Sequence, residues 1–177
     1  MKEYRFTTFN LILMALMAAI GLAIKPLVKT LTHIVSTPLG IPGGTLGGGF
    51  YMMWLCLIAA IVPRFGSATL TGLIQGLVVL ITGWFGGHGA ASLITYTLPG
   101  LAIDLTAYIY RRRDKIDAQI FFCVISNLVG TYLVGLIIMR LPKAPLLISL
   151  SMAIISGCIG GVLSYLIFQQ MKRYRLL

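Results

Sequence analysis

The sequence predicts an all-α integral membrane protein: a six-transmembrane-helix bundle, both termini cytoplasmic, with a long outer loop between helices 1 and 2. Three observations lead there. Of 177 residues, 58% are hydrophobic and 10% charged, with a mean hydropathy of +0.96; a soluble domain carries about a quarter charged residues. The apolar residues gather in charge-free runs, near the roughly 20 residues that a helix needs to cross a bilayer. The 14 Lys and Arg residues cluster at the ends of those runs, where membrane proteins keep them.

Each element follows from these runs. Helix 1 covers residues 6–25. The stretch 26–48 holds Pro38, Pro42 and a glycine-rich "IPGGTLGGGF", which forbids one continuous helix and predicts a loop. Helix 2 follows at 49–63. The uncharged run 65–103 is too long for one span and breaks at "GWFGGHG". It therefore divides into helix 3 at 66–83 and helix 4 at 90–110, with Pro99 inside helix 4. Helices 5 and 6 cover 118–139 and 145–170. All six belong to one domain, residues 1–177.

Six helices put both termini on one side. That side carries Lys2, Arg5, Arg64, Arg111, Arg112, Arg113, Lys115, Lys172, Arg173 and Arg175, against Lys25, Lys29, Arg140 and Lys143 on the other. Positive residues favour the cytoplasm, so the termini face in. Lys2 and Arg5 resemble the start of a signal peptide. The apolar run after them is longer than such a segment uses and no A-x-A site follows, so helix 1 reads as a retained span.

Several functions lack the residues they need. There is no G-x-x-x-x-G-K-[ST] for a nucleotide, no H-E-x-x-H and no G-x-S-x-G. The four acids are Glu3, Asp104, Asp114 and Asp117, too few for paired-carboxylate catalysis, so the chain is not expected to be an enzyme. Cys56, Cys123 and Cys158 stand in apolar runs without metal spacing, and no metal ligands are expected. No basic patch interleaved with aromatics calls for nucleic acid. Asp104 is the one ionisable group deep in a predicted span. It lies about 9 Å from the inner end of helix 4 at 1.5 Å per residue. A carboxylate there must face the bundle or a partner, and the depth predicts a structural or coupling role, with Arg111 or Arg64 as its pair.

In helix 1, Ala15, Ala19 and Ala23 recur every four residues and form a small face that lets another helix approach closely. Six helices in about 180 residues, this A-x-x-x-A face and the outer loop resemble the substrate-binding S component of an energy-coupling factor (ECF) transporter. "GGGFYMMWLCLIAAIVPRFGSATLTGLIQGL" and "LPGLAIDLTAYIYRR" resemble the hydroxymethylpyrimidine/thiamine-type S components in particular. That subgroup carries acids in helix 3, where this chain has only Gln75 as a large polar side chain. The resemblance implies a bacterial or archaeal cytoplasmic membrane and a vitamin or vitamin precursor captured at the outer face. It implies docking of the alanine face on a transmembrane coupling subunit, with ATP used by two ATPase partners and no cofactor in this chain. Metal-ion S components begin Met-His by the same resemblance, and this chain begins Met-Lys.

A flat ligand would stack between aromatics while amides read its edge. The candidates in the outer half are Tyr51, Trp54, Gln75, Trp84, His88, Tyr96, Asn127 and Tyr132. The tryptophans and tyrosines also suit an aromatic belt, Gln75 and Asn127 suit interhelical bonding, and His88 suits a solvated turn. A small self-associating channel or carrier, joined through the alanine face, is the alternative reading of the whole chain.

Overall fold

The computed structural model describes residues 6–36, 43–83 and 89–174. Those residues form six α-helices: α1 Thr8–Ser36, α2 Gly43–Ile61, α3 Ser67–Thr82, α4 Ala91–Tyr110, α5 Ile116–Leu133 and α6 Lys143–Arg173. A π-helical turn, Val134–Ile138, extends α5. Thr8–Thr32, Ile116–Ile138 and Lys143–Arg173 are long and apolar enough to cross a membrane, while Thr45–Ile61 and Ser67–Thr82 are shorter apolar helices. Side chains such as Ile81 and Ile109 are exposed on the outside of the bundle, as a lipid-facing surface allows.

α2 is the central helix and touches all five others. Met53 to Ala60 are buried without interruption, so α2 has no outward stripe of its own along that stretch. α6 packs on α5 and α2, α3 on α4, and α1 on α2 and α3.

The predicted loop over 26–48 is corrected. α1 continues through Pro26 to Ser36 and α2 already begins at Gly43, which leaves residues 37–42 as the connection. Pro26 removes one backbone donor but does not end the helix, because its ring needs room only at the preceding turn and membrane helices tolerate that loss. Beyond it, the Thr30 and Thr32 hydroxyls donate to the carbonyls of Pro26 and Val28 at 2.9 and 2.8 Å. The "GGTLGGG" stretch is helical because its glycines are contact surfaces. A β-carbon on Gly48 would overlap Asn127, and one on Gly49 would overlap the Ser156 carbonyl. Ser156 then ties the helices together: its hydroxyl accepts from the Gly49 amide at 2.9 Å and donates to the Leu46 carbonyl at 2.6 Å.

α3 begins without a cap of its own. Gly66 precedes it at φ 94°, a left-handed conformation that favours glycine, and no neighbouring side chain caps the helix. Asp104 of α4 takes that place. Fully buried, it accepts from the amides of Ala68 and Thr69 at 3.4 and 2.8 Å and from the Thr69 hydroxyl at 2.6 Å. A carboxylate at a helix N-terminus meets unpaired amides and the positive end of the dipole. The expected pairing with Arg111 or Arg64 is thus replaced by the first turn of α3. Arg113 instead lies near enough to feel the Asp104 charge and donates to the carbonyls of Ala59 and Arg64 at 3.3 and 3.2 Å.

Candidate functional site

The site is built on three helices around one side of α1. Tyr51 and Trp54 are one turn apart on α2, so both point the same way. On α1, Gly21 and Lys25 are likewise one turn apart. The two pairs meet in two layers. In the first, Lys25 Nζ stands 5.1 Å from the Tyr51 ring centroid and 3.7 Å from that of Tyr96, a cation held between two aromatic faces. In the second, a β-carbon on Gly21 would stand 2.6 Å from Gln75 Nε2 and 3.3 Å from Trp54 Cδ1. The missing side chain at Gly21 is what lets the indole and the amide come together against α1.

Tyr96 reaches Lys25 because α3 and α4 are closely packed there. A β-carbon on Gly72 would overlap the Tyr96 carbonyl, and one on Gly76 would stand 3.4 Å from Tyr96 Cβ. Gln75 is buried between these two glycines and spends its amide on a long 3.5 Å bond to the Ala18 carbonyl. Trp54 is 9% exposed, and among the described residues its Nε1 has no hydrogen-bond partner.

Four of the predicted residues, Tyr51, Trp54, Gln75 and Tyr96, therefore come together. Two others do not join them. Asn127 is buried beside Gly48 and donates to the Ala153 carbonyl of α6 at 2.8 Å; its amide bonds helices to one another. Tyr132 is 50% exposed on α5 and faces outward, as an aromatic-belt residue does. Trp84 and His88 lie outside the described residues. Lys25 and Gly21 were missed in the sequence. By sequence Lys25 reads as a charge at the end of a span, and only the continuation of α1 past Pro26 turns it into a residue of the bundle.

Ala15, Ala19 and Ala23 are all exposed, whereas Met14, Met17, Ala18 and Leu22 on the opposite face of α1 are buried. Among the described residues, the small-residue face is not used for packing within this chain. Among the described residues no three His, Cys, Asp or Glu side chains gather to hold a metal ion.

A family profile described as "ABC-type cobalt transport system, permease component" matches residues 9–129, well over half of the chain. The chain belongs to that family. The match runs from the start of α1 into α5, and so includes the whole Lys25, Tyr51, Trp54, Gln75 and Tyr96 cluster. No curated protein matches the sequence. Among solved structures, "Crystal structure of an S-component of ECF transporter" superposes with a TM-score of 0.76, covering 94% of this chain and 86% of that one at 16% identity. The permease component thus has the fold of an ECF S component.

Proposed function

We propose that this permease component is the substrate-capturing S component of an ECF-type importer. It spans the cytoplasmic membrane six times with both termini inside, and takes a small flat organic molecule of the vitamin or vitamin-precursor kind from the outer side. The observation that carries this reading is the cluster of Tyr51, Tyr96 and Trp54 rings with Gln75 beside them. Such surfaces stack on a planar ring and read its edge. The family membership and the S-component fold support it. Energy comes from outside the chain: a coupling subunit docks on the exposed Ala15, Ala19 and Ala23 face and two ATPases drive the cycle. A hydroxymethylpyrimidine-like ring suits the cluster better than thiamine itself, because Lys25 repels a fixed positive charge.

The family description favours a second reading, in which cobalt is the cargo. The cluster argues against it, since an ammonium group and phenol rings are poor partners for a metal cation. Mass spectrometry and elemental analysis of what is extracted from the purified protein separate the two. An aromatic organic compound at about one per chain is expected; stoichiometric cobalt without an organic ligand overturns the proposal.

A further inference from the structure

Among the described residues Lys25 has no counter-charge. The four acids are Glu3, Asp104, Asp114 and Asp117. Glu3 lies outside the described residues. Asp104 is engaged by the first turn of α3. Asp114 and Asp117 follow the C-terminal end of α4, whereas Tyr96, the ring over which Lys25 sits, is near its N-terminal end. Lys29, one turn further along α1, adds a second positive charge. Two tyrosine faces offset part of the cost of an ammonium group away from water, but they offer no anion.

Two neighbouring side chains add donors. Trp54 Nε1 is a buried donor without a partner among the described residues. Gln75 Nε2 is a donor committed only to a long bond. Together with Lys25 Nζ they make three donors along one ring-lined side of α1, which an anion matches most strongly and a cation opposes. We infer that this cluster is an anion subsite, and that the substrate is a planar ring bearing a carboxylate or phosphate which Lys25 receives. The inference rests on the S-component reading. A lipid headgroup phosphate offers the same chemistry, and the test separates it from a soluble ligand.

The test uses the full chain in phosphatidylcholine nanodiscs and three ring-matched probes: pyridine-3-carboxylate, its neutral carboxamide, and the N-methylated carboxamide cation. Binding is followed by tryptophan fluorescence. The carboxylate is expected to bind about tenfold more tightly than the carboxamide, the cation weakest of all, because a charge-assisted bond is the stronger kind. Lys25→Met brings carboxylate and carboxamide to within about twofold, and Lys25→Arg restores the preference. The inference is overturned if the wild type takes the carboxamide or the cation as tightly as the carboxylate, or if the preference survives in Lys25→Met. It is also overturned if replacing the lipid with phosphatidylglycerol abolishes the preference, which assigns Lys25 to a headgroup. Absence of binding by all three probes, in a protein that still copurifies with a coupling subunit, removes the anion subsite and leaves the S-component reading standing. Loss of that copurification removes the S-component reading instead.

Discussion

Asp104 accepts both the backbone amide and the hydroxyl of Thr69, at 2.8 and 2.6 Å, so a side chain of α4 caps the first turn of α3. An asparagine in its place has one acceptor oxygen, and its NH2 group confronts the amide of either Ala68 or Thr69. Asp104→Asn is expected to cost about 1–3 kcal/mol of stability, the penalty of a buried donor left unmatched. Thr69→Val, which removes only the hydroxyl, costs less, about 1 kcal/mol. Thermal unfolding in detergent measures both. Because this cap is at Ala68 and Thr69, about 9 Å along α3 from Gln75, ligand affinity in the folded fraction should not change. If Asp104→Asn abolishes binding without lowering the melting temperature, the carboxylate belongs to the ligand site.

The alanine face gives a cleaner separation of folding from coupling. Ala19 is exposed, so Ala19→Trp meets no neighbour within the chain. The variant should purify in normal yield and melt within about 1 kcal/mol of the wild type, as surface changes do. Copurification with a coupling subunit should be lost, since close helix approach needs small residues. Aggregation of the variant would count against an outward docking role.

Gly49 is the reverse case. Its β-carbon position is already occupied by the Ser156 carbonyl, so Gly49→Ala must push α2 from α6. Overpacking of this kind typically costs about 1–3 kcal/mol. The loss should appear as a lowered melting temperature and folded yield, while copurification with the coupling subunit persists in the folded fraction.

For the ring cluster, Trp54→Ala and Tyr96→Ala should each weaken the copurified ligand by about tenfold, combining lost stacking with lost burial. Tyr132→Ala should have no effect. Asn127→Leu should act through stability, because it leaves the Ala153 carbonyl without its donor. Isothermal titration beside thermal unfolding distinguishes the two kinds of loss. Equal weakening by Tyr132→Ala and Tyr96→Ala would move the site to α5.

Orientation is tested in intact cells. In a variant lacking Cys56, Cys123 and Cys158, a cysteine at Thr37 should react with an impermeant thiol reagent and one at Lys172 should not. The opposite pattern would place the connection between α1 and α2 in the cytoplasm.

What the sequence reveals here depends on how far away each explanation lies. The helices from α3 onward are marked by charge and by local breakers such as the glycine at 66 and the arginines at 111–113. The α1–α2 region is not. Proline and glycine speak for a loop when water is the neighbour, and the neighbours of Gly48 and Gly49 are Asn127 and Ser156, some 80 and 107 positions along the chain. No window of sequence contains that fit. The same distance hides Asn127, whose amide looks like ligand chemistry until the Ala153 carbonyl is seen beside it. Tyr51, Trp54, Gln75 and Tyr96 were recognisable because aromatic and amide side chains in outer half-spans are informative by themselves. Lys25 was not, because a lysine before a proline is the ordinary way for a span to end.

The bond between Gly49 and Ser156 has a consequence for how the protein is made. It joins residues 107 positions apart, and the helix it anchors is the one that all others surround. During synthesis α2 emerges early and waits, its glycine-lined flank unmatched, until α6 has left the ribosome. The centre of the bundle is therefore the last part to be completed, not the first. A nascent chain stopped before residue 156 holds α2 with its α6-facing flank uncovered, and any quality-control protease that recognises mismatched helices has that much of elongation in which to act.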